Sequence, residues 1–471
     1  MNPPALGASL TIPIHLWTRL RAHLFPGDHA GHGAVLLAGW SPGPRGLRLL
    51  ARDVIPARDG IDYVPGEFGH HALSATFVRD AALRARDEHA AYIPVHNHGG
   101  TTTVRFSSTD LASHERGYPA IGQITRTPVC ALVLTEQAAA GDLWLPDGSR
   151  SPLAEVVILG NNLIRLRPTR EQPPHLPEDP AGASVSGGLY DRQVRLFGDM
   201  GQRTFQQMRV GIVGLGGIGI LLTEYLARLG VGHLVLIDDD IVDDTNLPRL
   251  AGARHADINQ PKTELAQRLA CQAQPEIRLT PLRKRAEHSQ SRDELTQCDW
   301  IFLAADGAAA RHWVNAIVQQ HLIPATQVGV KIPVRDGTVG QIHAVTRLLL
   351  PGTNCLWCDG LIDPTELAID MQSTRDRAAA RYVPGVPAAS VLPLNALAAA
   401  EAASHFMHAA TGLHYDDADT FSVLHRTRSR DRDPITSRIN SRCRWCQPTG
   451  QLGSGGAPAA TPLGAYSAKG P

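Results

Sequence analysis

Four of the seven cysteines stand in two close pairs, Cys355-Leu-Trp-Cys358 and Cys443-Arg-Trp-Cys446. Each Cys-x-x-Cys pair offers two thiolates at adjacent corners of a tetrahedron. The two pairs together make a closed Zn2+ site of structural type. Redox dithiols and four merely buried thiols are the rival readings, and the doubling of the pair weighs against both. A second set of ligand-type residues lies in HNHGGTTTVRFSSTD. His96 and His98 alternate at a strand end, and Asp110 follows Ser107. Two imidazoles and one carboxylate leave a fourth Zn2+ position open to water, whose pKa the metal would lower. Ser107 is placed to hydrogen-bond a developing oxyanion. Such chemistry also needs a general base. Glu67 in VPGEFG is a candidate, and Asp28 and His32 in GDHAGHGAVLLAG are alternatives.

A third constellation begins at RVGIVGLGGIG. Gly214, Gly216, Gly217 and Gly219 form a turn between an apolar strand and a helix. Such a turn lets phosphate approach backbone N–H groups at a helix N-terminus. Nicotinamide, flavin and ATP all fit it. Asp238 ends the next strand, where it can accept hydrogen bonds from ribose hydroxyls. The following stretch separates the candidates. Asp240, Asn246, Arg249 and Lys262 come in quick succession. A nicotinamide site needs no such cations, whereas a triphosphate under attack does. Arg249 and Lys262 can hold the β- and γ-phosphate oxygens while the acids hold Mg2+. The chain has no G-x-x-x-x-G-K-[ST], so this is not a P-loop.

The segments YDRQVRLFGDMGQRTFQQMRVGIVGLGGIG, LIDDDIVDDTNLPRL, QPKTELA, AADGAA, PGTNCLWCDG and CRWC resemble the E1-like adenylyltransferase family over residues 190–446. The resemblance implies adenylation of the C-terminal carboxylate of a ubiquitin-like or sulfur-carrier protein ending in Gly-Gly, with release of pyrophosphate. It implies that Asp238 binds ribose and that Asn246, Arg249 and Lys262 attend the phosphates. It implies that Asp306, in AADG, binds Mg2+. Arg192 matches an arginine that reaches into a neighbouring subunit's ATP site, which implies a homodimer. Gln202 matches a family glutamine of less defined role. A family cysteine that takes up the acyl group has no counterpart after the first knuckle. Cys130, Cys271 and Cys298 read as structural. The adenylate is then expected to pass to the thiol of an E2-like protein or to a sulfur donor.

His96, His98, Ser107 and Asp110 resemble the motif of the JAMM (JAB/MPN) metalloproteases. The sequence departs from it in Asn97, in Gly99 and in the absence of a glutamate before GAVLLAG. An active Zn2+ peptidase, an inactive metal-binding domain and a purely structural domain all stay open. A peptidase could expose a carboxylate that the second domain then activates. The runner-up function is adenylation of a peptide or small carboxylate in natural-product biosynthesis, with an inactive first domain. A nicotinamide oxidoreductase and a scaffold without catalysis fit the cations and acids less well.

The elements that must position these residues follow from the pattern. GAVLLAG, YIPVHNHG, CALVLTE and LAEVVILG read as strands, and ALSATFVRDAALRARDEHA as a helix capped by Ser74. RVGIV, ILLTEYLARLG and VGHLVLIDDD make a βαβ unit that WIFLAAD and PATQVGV extend. The expected class is α/β: a JAB/MPN-like α/β domain over 1–168, a Pro- and Gly-rich linker over 169–188, and a Rossmann-like adenylation domain over 189–446. Residues 447–471 read as a disordered tail. With 471 residues the chain is long enough for more than one core. Lys plus Arg and Asp plus Glu number 45 each, so net charge gives no reason to expect nucleic acid. No run reaches the roughly 18 apolar residues of a membrane span, and a cytoplasmic protein is expected.

Overall fold

The computed structural model describes residues 7–28, 30–65, 71–169, 188–372, 389–414 and 422–456. The chain divides into two compact units, one of residues 1–172, 319–322 and 444–462 and one of residues 173–318, 323–443 and 463–471.

In the first unit the strands are β1 (Ala8–Pro13), β2 (Gly33–Ser41), β3 (Arg48–Pro56), β4 (Tyr63–Pro65), β5 (His71–Leu73), β6 (Ala91–Asn97), β7 (Val129–Leu134), β8 (Ala139–Trp144), β9 (Arg150–Leu159) and β10 (Leu163–Leu166). Helices α1 (Ile14–Leu24), α2 (Ala75–Asp87) and α3 (Ser108–Thr125) lie between them. The main sheet runs β1-β3-β2-β6-β7-β8-β9-β10. Because β1 also pairs with β9, the sheet closes on itself. One side of it buries Leu10, Ile12, Leu36, Leu132 and Ile158 with Leu16 and Leu20 of α1. Helix α2 covers Val35, Leu37 and Tyr92 with Phe77, Ala81, Ala82 and Ala85. Ser74 caps α2 as its sequence implies: its Oγ accepts the Phe77 N–H at 3.2 Å. The stretch expected to start the linker is pinned, since Thr169 bridges to Thr103 and the Val104 N–H donates to the Pro168 carbonyl.

The second unit opens with α4 (Asp191–Gln207), kinked at Gly198. There follow β11 (Arg209–Val213), α5 (Gly217–Leu229), β12 (His233–Ile237), α6 (Lys262–Ala273), β13 (Arg278–Leu282), α7 (Ser289–Leu295), β14 (Trp300–Leu303), α8 (Ala308–His321) and β15 (Ala325–Lys331). Then come β16 (Val334–Arg335), β17 (Thr338–Val339), β18 (His343–Leu349), α9 (Pro364–Asp370), α10 (Leu392–Thr411), β19 (Val423–Arg426) and β20 (Asp431–Pro434). The sheet order is β13-β12-β11-β14-β15-β18-β19-β20. Its first five strands are parallel. From β15 onward the pairings are antiparallel. Strands β11, β12 and β14 and the first half of β15 are near-continuous buried runs, as a sheet covered on both faces demands, whereas the edge strand β13 buries only Leu282.

Two sequence expectations are corrected here. Residues 447–456 are not a disordered tail: the Gln451 N–H donates to the Arg444 carbonyl, and Leu452 is fully buried. Residues 457–471 lie outside the described residues. Cys130 and Cys298 are buried as structural thiols would be, but Cys271 is exposed. Among the described residues, no helix is long and apolar enough to cross a membrane.

Candidate active site

Strand β11 has β12 on one side and β14 on the other, so the strand order reverses at its C-terminal end. A crevice opens at such a switch point. The glycine turn lies in it. Gly214 has φ +91°, and a Cβ there would lie 2.7 Å from the Ala305 nitrogen. Glycine is thus required twice over, by conformation and by the close approach of the loop after β14. A Cβ on Gly219 would overlap the Gly214 carbonyl oxygen, and one on Gly217 would overlap the Asn395 amide. Of these four, Gly216, which precedes the first residue of α5, alone has room for a Cβ, which would lie 3.9 Å from the Arg249 guanidinium. The turn is a cradle with one open side beneath a cation. Phosphate fits that arrangement.

Asp238 sits one residue beyond β12. Its carboxylate accepts the Leu215 N–H of the glycine turn at 2.6 Å and the Asp240 N–H at 2.9 Å. Burial pushes its pKa above the usual carboxylate value, against the pull of Lys262. Lys262 begins α6, is itself only 6% exposed, and donates from Nζ to Asp240 Oδ2 at 2.7 Å. Asn246 is buried, and its Oδ1 has no donor among the described residues. Asp238, Asp239 and Asp240 bring carboxylate oxygens within 4.8 Å of one another, a donor set suited to Mg2+. Asp306 follows Ala305, the residue packed on Gly214, and is exposed at the crevice.

Arg192 is not brought to this crevice. It is exposed on the first turn of α4. The neighbouring Gln193 donates to the Arg228 carbonyl, and Gln202 donates to that of Leu229. Both carbonyls are at the C-terminal end of α5, whose 13 residues place them about 20 Å from the glycine turn. Gln202 thereby has a structural account: it satisfies a helix-terminal carbonyl.

A family model described as the ThiF family matches residues 190–444, more than half of the chain. The chain belongs to the ThiF family. Among ThiF-type relatives, the sulfur carrier protein ThiS adenylyltransferase of Escherichia coli K12 is 35% identical over 177 residues, 36% of this chain and 67% of that protein. The molybdopterin-synthase adenylyltransferase of the same organism is 36% identical over 129 residues, 27% of this chain and 52% of that protein. A crystal structure of E. coli MccB with AMPCPP and selenomethionine MccA covers 55% of this chain and 74% of its own, at 22% identity and a TM-score of 0.44. That likeness is too slight to bear on the substrate.

The cysteines of the two knuckles come together. Cys355, Cys358, Cys443 and Cys446 bring their sulfurs within 4.8 Å of one another. Cys355 and Cys443 Sγ are 3.9 Å apart, and no disulfide joins any of the four. Four sulfurs about 2.3 Å from one Zn2+ in a tetrahedron would be about 3.8 Å apart, so the set fits that metal.

The His–His–Asp site lies outside the ThiF-family match. His96 and His98 Nε2 are 3.0 Å apart. The Asp110 oxygens lie 3.5 Å from His96 and 3.3 Å from His98. All three side chains are partly exposed, so a ligand position could stay open to water. Burial raises the Asp110 pKa, but hydrogen bonds from His96, His98 and Ser107 outweigh it and hold the carboxyl well below its usual range. The Ser107 hydroxyl donates to Asp110 at 2.7 Å and accepts the Asp110 N–H. In this structure Ser107 caps α3 and orients Asp110 rather than aiming at an oxyanion. Glu67 lies outside the described residues. His32 pairs with Asp28 at 3.0 Å, and its N–H donates to Asn97. Because Gly33 is the register partner of His96, strand alternation puts His32 on the Asn97 face, away from the ligands. Asn97, a departure from the motif, locks that loop by donating to the Ala30 carbonyl.

Asn395, which packs its amide on Gly217, was invisible to sequence reasoning. It stands on α10, far down the chain, and no local pattern marks it.

Proposed function

We propose that the second unit adenylates the C-terminal glycine of a ubiquitin-like or sulfur-carrier protein ending in Gly-Gly, using ATP and releasing pyrophosphate. The observation that carries this reading is the convergence of Arg249, Lys262, Asp238 and Asp306 around one glycine cradle. The carboxylate oxygen attacks the α-phosphorus, and the bond from that phosphorus to the bridging oxygen breaks. Pyrophosphate leaves with the electron pair. Arg249 over Gly216 and Lys262 beside Asp240 neutralise its developing charge. Asp238 holds the ribose, Asn246 adds a hydrogen bond, and Mg2+ bound at Asp306 and the aspartate cluster would supply further charge neutralisation. Gly-Gly suits the substrate because a side chain next to the α-phosphate would crowd the cradle. Arg192 then serves the site of a second copy in a homodimer. With no cysteine between Asp359 and Ala398 to accept the acyl group, the adenylate passes to an E2-like thiol or a sulfur donor.

For the first unit we propose Zn2+-dependent hydrolysis at His96, His98 and Asp110, trimming a precursor or conjugate to expose that glycine. A bound Zn2+ would supply Lewis acidity and a water acidic enough to ionise near neutral pH. Glu67 is the base assigned to it. The test is ATP–pyrophosphate exchange with a Gly-Gly carrier encoded beside this protein. Exchange that needs the intact carrier C-terminus supports the reading. Binding of a nicotinamide dinucleotide without exchange would overturn it.

A further inference from the structure

Helix α8 begins two residues after Asp306 and carries two side chains that grip the first cysteine knuckle and a third that holds the turn after it. Asn315 is fully buried, and its Oδ1 accepts the Leu356 N–H at 2.9 Å. Its Nδ2 has no partner among the described residues. The Trp357 indole N–H donates to His312 Nδ1 at 3.2 Å. Arg311 donates to the Leu361 carbonyl at 3.3 Å. The chain then turns back along α8. At the end of α9 the Asp370 carboxylate accepts the Ala309 N–H at 3.1 Å, and it stands 3.3 Å from a Cβ built on Gly307. Residues 355–370 therefore hold α8 at its middle and again at its first turn, next to Asp306. At the other end of that loop Ala305 is packed on Gly214 of the cradle.

We infer that residues 355–370 are a brace through which the four-cysteine centre fixes Asp306 at the nucleotide cradle, with Asn315 and Asp370 as positioning residues. The inference rests on the nucleotide reading above. A thiol centre that has lost its metal frees the knuckle, the knuckle frees α8, and Asp306 loses its place. Coupling of this kind is reciprocal, so bound nucleotide also slows loss of the metal.

The experiment uses the full chain loaded with Zn2+. Zinc release to a chromogenic chelator and the Kd of a non-hydrolysable ATP analogue with Mg2+ are measured side by side. Asn315→Ala should release zinc about tenfold faster, as loss of a group supporting metal ligands does. It should also weaken the analogue by about fivefold. Asp370→Ala should weaken the analogue similarly while leaving zinc release unchanged. Asp370→Asn, which keeps an acceptor for the Ala309 N–H, should restore wild-type affinity. Since α9 is a short peripheral helix, the Asp370 pair keeps the test decisive even if Asn315→Ala fails to fold. An Asn315→Ala protein that sheds zinc yet binds the analogue normally would overturn the brace. So would an Asp370→Asn variant as weak as Asp370→Ala. A wild type that does not bind the analogue at all would instead overturn the nucleotide reading itself.

Discussion

In the proposed reaction, Lys262 is the residue on which the nucleotide chemistry turns most directly. A buried ammonium costs free energy unless it is paired, and Asp240 Oδ2 at 2.7 Å is its partner here. An incoming phosphate would compete for the same cation. Lys262→Ala should lower carrier-dependent ATP–pyrophosphate exchange at least about a hundredfold. Exchange at the wild-type rate would remove Lys262 from the mechanism. The cysteines give a second prediction at this scale. Cys130 and Cys298 are buried, and Cys271 is exposed on α6 rather than at the cradle. Incubation with carrier and ATP should yield adenylate with no reducible enzyme–carrier adduct on a gel. The cradle residues were legible because chemistry restricts them: acid, amide and cations follow a glycine turn in one short stretch. Asn395, Asn315 and Asp370 were not legible. Each acts on a backbone group far away in sequence, and any of dozens of surface or core Asn and Asp residues would look the same on paper.

Among the elements, the strand–turn–helix at β11 and α5 was readable from its period and punctuation. An apolar strand, glycines where backbone must approach backbone, and a helix with Leu222 and Leu226 buried leave little freedom. Gly219→Ala tests the turn. Its methyl group would occupy the space of the Gly214 carbonyl oxygen. The expected outcome is loss of nucleotide binding together with about 1–3 kcal/mol of stability, the ordinary cost of overpacking. Calorimetric titration and urea unfolding would read both effects, and an unperturbed Kd would show the turn is not the cradle. Strand partnership was harder to see. Alternation and apolar runs identify β1 and β9 as strands, yet nothing in either run says that they pair and close the first sheet. The same is true of β18, β19 and β20, which continue a parallel sheet in the antiparallel sense. Pairing is set by long-range packing, and a single sequence records only the local half of it. His32 illustrates the point: near His96 by register, it faces the other side because alternation is strict.

The whole molecule carries two further predictions. Burial, with His414 and His408 nearby, lowers the pKa of His405 from 6.5 to about 3. The native state therefore keeps this imidazole neutral while the unfolded chain takes up a proton below pH 6.5. Stability attributable to the neutral form is complete above 6.5 and is lost as pH falls toward 3, by about 1.4 kcal/mol per pH unit. Between pH 7.5 and 5, His405→Gln should lose about 2 kcal/mol less unfolding free energy than the wild type, measured in urea. An equal loss in both proteins would assign the acid sensitivity elsewhere. The second prediction concerns assembly. Gln193, the neighbour of Arg192, is bonded to the far end of α5, about 20 Å from the glycine turn of its own chain. In the proposed homodimer, Arg192 serves the cradle of the second copy. Arg192→Ala and Lys262→Ala proteins should each be inactive in exchange. Co-expressed in equal amounts, they form mixed dimers in about half of all pairings, each holding one intact composite site and one doubly defective one. About a quarter of wild-type exchange should return. Activity in the Arg192→Ala protein alone would show that the arginine is dispensable, and silence in the mixture would place its action within one chain.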